Sequence, residues 1–232
     1  MSAGSQADDV AVVIPARNEA DRIRQTVAAA AGIPGVGLVV VVDDGSLDGT
    51  GAVARRAGAV VLRHTRNRGK GAAMESGAEG VRLLDEGPER HLLFLDADLA
   101  ETAAEAGPLI EPVRRGEADM TIAVFASTVK LGGHGLVVGL SGAGIRRAVG
   151  WQPAQPLNGQ RCLTRAAFEA ARPLARGWGV ETALTIDLLR QGFRVTEVEV
   201  ELAHRATGTG LRAQLHRAHQ LADVARALAV RR

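Results

Sequence analysis

The chain has few cysteines, aromatic residues and lysines. It has one cysteine, Cys162, in 232 residues, which excludes an internal disulfide and is typical of a reducing compartment, so we expect a cytoplasmic protein. Aromatic residues make up 3% of the chain and tyrosine is absent, so the sequence offers no platform for stacking bases. The formal net charge is only +2, and we therefore expect no nucleic-acid partner.

Long apolar runs are also absent. No run reaches the about eighteen residues that a membrane-spanning helix needs. The polar, acidic residues 1–9 lack the basic and apolar regions of a secretory signal. The last predicted helix, 211–230, has apolar residues at helical spacing and arginines mostly elsewhere. We expect this helix to pack on its own domain or on a second copy of the chain, and do not expect membrane association.

Lysine is rare, although basic residues are not. Of the 28 basic residues only Lys70 and Lys130 are lysines. Lysine is a compact point charge and arginine a planar fork, so the two are not interchangeable. A lysine kept in so arginine-rich a chain draws attention to Lys70, which lies in the glycine-bearing segment 67–71.

Short β-branched runs alternate with helical patterns along the first half of the chain. Strands are predicted at 10–14, 38–42, 60–62, 92–95 and 120–125, and helices at 19–31 (capped by Asn18), 48–57, 70–84 and 102–115. The alternation is typical of an α/β fold, with a mostly parallel sheet that helices flank on both faces. Further helices are predicted at 136–149, 164–174, 180–191 and 211–230, with a loop at 150–161 and a strand at 194–202. No linker divides these elements, so we expect a single domain over 1–232.

Acidic and glycine-bearing segments directly follow four of the predicted strands, at 15–19, 43–50, 67–71 and 96–98. The carboxyl ends of parallel strands share one edge of a sheet, so these segments are expected to meet in one crevice. Carboxylates accept hydrogen bonds from a base or a ribose, and glycines let a backbone approach a ligand closely. Mg²⁺ and Mn²⁺ prefer oxygen ligands together with substrate phosphates. The sequence therefore predicts a site for a nucleotide diphosphate.

Each segment also has a plainer explanation. Asp43-Asp44-Gly45-Ser46 is typical of a turn with a helix cap, Asn18-Glu19 of a cap, and the glycines around Lys70 of a turn. Acidic pairs in loops, such as Asp96 and Asp98, are mostly solvated. These explanations do not account for four such segments after four successive strands, so we favour the nucleotide site.

Four motifs resemble family 2 glycosyltransferases of the GT-A fold: VVIPARNE (12–19), VDDGS (42–46), GKG (69–71) and LDAD (95–98). PLNGQR (156–161), GWGVE (177–181) and HRATG (204–208) are similar to the branch of glucosyl-phosphoglycerate synthases. The resemblance covers about residues 10–225. It implies a Rossmann-like nucleotide-sugar-binding half, 10–125, and an acceptor-binding half, 126–232. It also implies metal-dependent sugar transfer from a nucleotide-diphosphate sugar, with a UDP-sugar favoured over a GDP-sugar.

The resemblance also implies roles for individual residues on the donor side. The residues that would line the nucleotide pocket are Pro15, Ala16, Arg17, Glu19, Asp44, Gly69, Lys70, Asp96 and Ala97. Asp44 would hold the uracil or ribose, and Asp98 would bind Mn²⁺ or Mg²⁺ with His204 as the second protein ligand. A plainer explanation of His204 is a surface histidine at a strand end. The other histidines suggest no partner.

The acceptor, which we expect to be small, would contact Asn158, Gly159, Gln160, Arg161 and Arg205. The family pattern has serine or alanine where this chain has Asn158, so the identity of the acceptor stays open. Glu181 follows two glycines at a predicted helix start, and in this family it would be the general base. In the phosphoglycerate branch the corresponding residue binds substrate instead. A glutamate that only favours the helix dipole is the plainer explanation.

Three other kinds of protein compete with a glycosyltransferase. A nucleotidyltransferase would carry a glycine-rich basic loop after the first strand, where this chain has Pro15-Ala16-Arg17-Asn18-Glu19. A Rossmann oxidoreductase would need G-x-G-x-x-G there, and the glycines at 139–144 have the wrong spacing and place. A non-catalytic nucleotide-sugar-binding protein would keep the pocket, but the presence of Asp98, Glu181 and His204 argues against it.

Overall fold

The structure is a computed structural model that describes residues 9–85, 89–125, 135–202 and 211–231, without the side chains of 211–217. Seven strands form one sheet. They are β1 (Val10–Ala16), β2 (Val36–Asp43), β3 (Val60–Arg63), β4 (His91–Phe94), β5 (Met120–Phe125), β6 (Arg161–Leu163) and β7 (Val195–Val200).

The strand order is β3-β2-β1-β4-β6-β5-β7. β6 pairs antiparallel with β4 and with β5, while the other pairs are parallel. The sheet is therefore mostly parallel, as predicted, with one reversed strand in it. In this arrangement the carboxyl ends of β1, β2, β3 and β4 share an edge with the amino end of β6.

Eight α-helices are described: α1 (Ile23–Ala31), α2 (Thr50–Arg56), α3 (Lys70–Leu84), α4 (Glu111–Arg114), α5 (Gly135–Val149), α6 (Arg165–Ala170), α7 (Val180–Arg190) and α8 (Leu211–Ala229). Two 3-10 helices, Ala100–Leu109 and Gly177–Gly179, precede α4 and α7.

Alternate residues of the central strands pack into two separate cores. On one face, Val12, Val41 and Leu93 pack with α1, α2 and the longer 3-10 helix. On the other face, Val13 and Phe94 pack with α3, α6 and α7. Successive strand side chains point to opposite faces, which explains why unbroken apolar runs such as 10–14 are buried on both sides.

The structure corrects several predicted boundaries. Helix α1 begins at Ile23 rather than at residue 19, and Asn18 does not cap it: Asn18 has a φ of 57° and its side-chain oxygen accepts a hydrogen bond from Leu47 N. The predicted helix 102–115 is instead a 3-10 helix over Ala100–Leu109, which contains Pro108, followed by a short α-helix over Glu111–Arg114. The last residue of the predicted loop 150–161, Arg161, is instead the first residue of β6. This strand has only three residues, too few for an alternation of side chains to show in the sequence.

Helix α8 packs on the preceding elements through Val224 and Ala227, which are buried. Ala218, Ala222 and Ala225, which belong to the apolar residues at helical spacing in this segment, are exposed. The Asp223 carboxylate accepts a hydrogen bond from Trp178 N at 3.1 Å, and Arg231 forms an ion pair with Asp187 at 2.5 Å. In the described part of the chain, no helix combines the length and the apolarity needed to cross a membrane.

Gly77 lets α3 lie directly on the sheet. A Cβ atom at this position would overlap Val13 Cγ1 and lie 3.1 Å from Val42 Cγ2, and both valines are buried. We expect Gly77→Ala to lower the free energy of unfolding by about 1–3 kcal/mol, because overpacking outweighs the gain in helix propensity. Chemical denaturation measures this change.

Gly139→Ala is the matched control, since Gly139 is exposed in α5 and a Cβ there meets nothing within 4 Å. It should raise the free energy of unfolding by about 0.5–1 kcal/mol. Equal effects of the two substitutions would contradict the close packing of α3.

Candidate functional site

The candidate site lies at the edge where β1, β2, β3 and β4 end and β6 begins. The loops after β1 and β2 are joined by hydrogen bonds. Asn18 N donates to Ser46 Oγ at 3.0 Å, Leu47 N donates to the Asn18 side-chain oxygen at 2.9 Å, and Glu19 N donates to Thr50 Oγ1 at 2.9 Å. Of the predicted pocket residues, Pro15 and Ala16 are the last two residues of β1, whereas Arg17 and Glu19 lie in the following loop, which the β2 loop holds in place.

Asp44 is buried, and its carboxylate fixes the loop that precedes α3. Its Oδ1 accepts hydrogen bonds from Arg68 N at 2.8 Å and from His64 Nδ1 at 2.7 Å. Its Oδ2 accepts one from Gly69 N at 2.8 Å. Three protein donors thus hold this carboxylate, which was expected to contact the base or ribose.

Lys70, the first residue of α3, joins two carboxylates from distant parts of the chain. Its Nζ lies 2.7 Å from Asp96 Oδ1 and 2.9 Å from Glu181 Oε1. Asp96 follows β4, and Glu181 is buried in the first turn of α7. Burial alone would lower the pKa of Lys70, but the two carboxylates outweigh it and raise the pKa above its usual 10.5. The side chain is therefore a firmly protonated cation.

The segment before β6 completes this cluster. Because Phe94 pairs antiparallel with Arg161, the residues just before β6 lie opposite those just after β4. Gln160 Nε2 donates to Asp96 Oδ2 at 2.7 Å, and Asn158 Oδ1 accepts from Gln160 N at 3.0 Å. A Cβ at Gly159 would overlap Lys70 Nζ and lie 3.1 Å from Asp96 Oδ1, so this position leaves no room for a side chain.

Arg161, expected over the donor sugar and acceptor, is instead buried beneath this segment. Its guanidinium donates to Asn158 O at 2.8 Å, Pro156 O at 3.1 Å and Glu181 O at 3.0 Å. Burial lowers its pKa to about 10, which still leaves it charged at neutral pH. The structure therefore places Arg161 where it ties the 156–160 segment to α7. The neighbouring Cys162 is also buried, and burial raises the pKa of its thiol to about 12.

The Asp96-Ala97-Asp98 turn is fastened to α1. Thr26 Oγ1 donates to Ala97 O at 2.9 Å, and Arg22 Nη1 donates to Asp98 O at 3.1 Å. Asp98 is half-buried. Its expected co-ligand His204 and the expected acceptor residue Arg205 lie outside the described residues. Within the described ranges, no three His, Cys, Asp or Glu side chains form a group that could hold a metal ion.

Three residues that support the site carried no functional prediction. His64 contacts Asp44, Thr26 holds the turn at Ala97, and Glu197 Oε1 accepts hydrogen bonds from Ala154 N and Gln155 N at 2.7 and 3.2 Å. Thr26 is a polar residue on the apolar face of α1, which is a weak sequence signal. His64 and Glu197 gave none, because their partners are remote in sequence.

The whole fold is similar to solved structures of glucosyl-3-phosphoglycerate synthase from Mycobacterium tuberculosis. The complex of that enzyme with Mn²⁺, UDP and glucosyl-3-phosphoglycerate has a TM-score of 0.72 and 24% identity, covering 95% of this chain and 80% of that one. A complex with Mg²⁺ and UDP gives a TM-score of 0.73, with 24% identity, 95% of this chain and 79% of that one. At this identity the similarity shows the fold, and the expected GT-A architecture is confirmed.

Curated relatives are similar over much of the sequence. The glycosyltransferase AglJ of Haloferax volcanii is 28% identical, over 87% of this chain and 65% of that protein. The uncharacterized protein MJ1222 of Methanocaldococcus jannaschii is 34% identical, over 50% of this chain and 46% of that protein. The chain thus spans less than two thirds of the length of either relative.

The family description that fits the chain is "Glycosyl transferase family 2", whose sequence model matches residues 11–135. The matched residues run from β1 to the start of α5 and include Asp44, Lys70, Asp96 and Asp98. They make up more than half of the chain. The protein therefore belongs to glycosyl transferase family 2.

Proposed function

We propose that the protein is a metal-dependent glycosyltransferase that moves a sugar from a UDP-sugar to a hydroxyl of a small acceptor. The observation that carries the proposal is the Lys70 ammonium, held between Asp96 and Glu181 at the ligand-binding edge of a family 2 fold. A cation there suits the diphosphate of a donor, and carboxylates suit sugar and ribose hydroxyls.

UDP is the favoured nucleotide, because the synthase of similar fold was solved with UDP and Mn²⁺ or Mg²⁺. In this proposal Pro15, Ala16, Arg17 and Glu19 line one side of the nucleotide pocket, and the loop at Gly69 lines the other. Asp44 acts through that loop, because its carboxylate holds the N–H groups of Arg68 and Gly69. Asp96 and Ala97 lie on the side of the ribose and sugar.

Asp98 and His204 would hold Mn²⁺ or Mg²⁺. A half-buried carboxylate two residues after Asp96 fits such an ion, which typically takes one or two carboxylates together with water and substrate phosphates. When bound, the ion supplies positive charge that stabilises the departing diphosphate.

The transfer step needs a bound acceptor, a leaving group and a proton acceptor. The acceptor oxygen bonds to the anomeric carbon, and the bond from that carbon to the diphosphate breaks, with its electron pair leaving on UDP. Lys70 stabilises the negative charge on the leaving group, and the Glu181 carboxylate takes the hydroxyl proton. Asn158, Gly159 and Gln160 border the acceptor, with Arg205 on the same side and Arg161 as the buried support of that segment.

A turnover screen tests the proposal against its rivals. UDP- and GDP-sugars are incubated with Mn²⁺ and small hydroxyl acceptors, including phosphoglyceric acid, and the released nucleotide is identified. We expect UDP together with a glycosylated acceptor. In a parallel incubation with a nucleoside triphosphate and a sugar phosphate, release of pyrophosphate would indicate a nucleotidyltransferase. Binding of UDP-sugar without release across the whole screen would indicate a binding protein.

The role of Asp98 is tested by UDP binding with and without metal. We expect Mn²⁺ to tighten UDP binding at least about tenfold in the wild type, as a shared metal links the carboxylate to the diphosphate. Asp98→Ala should remove that enhancement and leave metal-free binding unchanged. Titration calorimetry measures both constants.

The control is Glu101→Ala, three residues further along the chain and exposed. It should retain the full Mn²⁺ effect on UDP binding. An Asp98→Ala protein that also keeps the effect would exclude Asp98 as a metal ligand.

The Lys70 ion pairs also contribute to stability. Lys70→Met leaves two half-buried or buried carboxylates without their shared cation, so we expect the free energy of unfolding at pH 7 to fall by about 2 kcal/mol. Because the folded-state pKa of Lys70 is raised, its contribution is complete below about pH 10.5 and is lost as the pH rises further. The difference between wild type and Lys70→Met in urea unfolding should therefore be constant from about pH 7 to 10 and shrink above that range.

Arg82→Met provides the comparison, since Arg82 pairs with Glu79 on the exposed face of α3. Arg82→Met should lower the free energy of unfolding by no more than about 1 kcal/mol. If the Lys70→Met protein were no less stable than Arg82→Met, the ion pairs of Lys70 would make no measurable contribution to the free energy of unfolding.

A further inference from the structure

We infer that His64 is a positioning residue of the donor site, acting through Asp44 on the loop that precedes Lys70. The inference rests on the function proposed above and assigns to a histidine outside the family motifs a part in nucleotide binding. His64 follows β3 directly and is 9% exposed. Both of its ring nitrogens have hydrogen-bond partners: Asp44, directly after β2, and Ser76, in α3.

The hydrogen bonds identify the donor to Asp44. Nδ1 lies 2.7 Å from Asp44 Oδ1, and an ionised carboxylate only accepts, so Nδ1 carries a hydrogen. Nε2 lies 2.9 Å from Ser76 Oγ, a hydroxyl that can donate or accept, and 3.5 Å from Arg68 Nη1. His64 therefore donates to Asp44 through Nδ1 and pairs with α3 through Nε2.

The Asp44 carboxylate passes this constraint to the loop. It also accepts the N–H groups of Arg68 and Gly69, the two residues before Lys70. Gly69 has a φ of 91°, a conformation that only glycine adopts readily. A Cβ at Gly45 would lie 2.7 Å from Arg66 C, so the loop also packs tightly on the β2 turn. The orientation of one carboxylate therefore sets the path of the backbone into α3.

Ser76 extends the constraint to the helix itself. It lies six residues after Lys70 in α3, so His64 holds the helix at one point and, through Asp44, the loop at its start. Lys70 Nζ has to reach two carboxylates within 3 Å, and a small rotation of the loop would break that fit. The imidazole thus connects the end of β2, the loop and α3 behind the proposed pocket, without facing the ligand.

Two amide substitutions distinguish the role of Nδ1 from that of Nε2 in His64. The amide nitrogen of asparagine takes the place of Nδ1, and that of glutamine the place of Nε2. His64→Asn therefore keeps the donor to Asp44, whereas His64→Gln loses it and keeps a polar group towards Ser76. We expect His64→Gln to weaken UDP binding about tenfold and to raise KM for the UDP-sugar by a similar factor. One hydrogen bond to a charged group is typically worth a change of that order.

His64→Asn should bind UDP within about threefold of the wild type, and in both variants kcat should change less than KM. Thr121→Val is the control for losing a buried hydrogen bond elsewhere: Thr121 Oγ1 donates to Leu109 O at 2.7 Å, away from β2 and α3. It should lower the melting temperature and leave UDP binding unchanged.

UDP affinity is measured by calorimetry and folding by thermal unfolding. Equal UDP affinities of His64→Gln and His64→Asn would overturn the inference, and so would a His64→Gln protein that binds UDP like the wild type. If His64→Gln does not fold, the test rests on His64→Asn. A UDP affinity at least tenfold weaker than that of the wild type in this variant would overturn the inference. A wild type that neither binds UDP nor releases it from a UDP-sugar would overturn the proposed function, and this inference with it.

Discussion

The ion cluster of Lys70 with Asp96 and Glu181 is the interaction on which the arrangement of the site depends. Two carboxylates that are buried or half-buried near each other repel, and each loses the solvation that water would provide. One ammonium within 3 Å of both relieves the repulsion and replaces part of that solvation. The cluster therefore fixes three parts of the chain relative to one another: the start of α3, the turn after β4 and the first turn of α7.

The reversed strand β6 is the topological condition for this cluster. If β6 ran parallel to its neighbours, it would begin at the opposite edge of the sheet, and the residues before it would lie far from Asp96. Because β6 runs antiparallel between β4 and β5, the segment with Asn158, Gly159 and Gln160 lies at the edge where β4 ends. Arg161, the first residue of β6, then connects this segment to α7 through buried hydrogen bonds. The second half of the chain thus contributes to the same edge as the first.

Local patterns predicted most of the strands and helices, but not the contacts between them. The strand at 120–125 and the helix at 70–84 were predicted with the bounds that the structure shows, since an apolar run and a flanking glycine mark their ends. The three residues of β6 are too few for a period of two to show, and the apolar pattern after Asp98 did not distinguish a 3-10 helix from an α-helix. Lys70 and Asp96 were identified as candidates from sequence, but the pairing of Lys70 with Glu181 spans over a hundred residues. The burial of Arg161 follows from strand pairing, which no local pattern reveals.

The carboxylates of the site fall into two groups with different kinds of partner. Asp43 and Asp44 accept hydrogen bonds mainly from backbone N–H groups, including those of Ser46, Arg68 and Gly69. Such donors cannot leave without unfolding a loop, so these carboxylates are committed to structure. Asp96 and Glu181 are held by the side chains of Lys70 and Gln160. Side-chain partners can change rotamer while the backbone stays fixed. In the function proposed above, the first group keeps the edge preorganised, and the second group is the one that adapts to a charged, hydroxyl-rich donor.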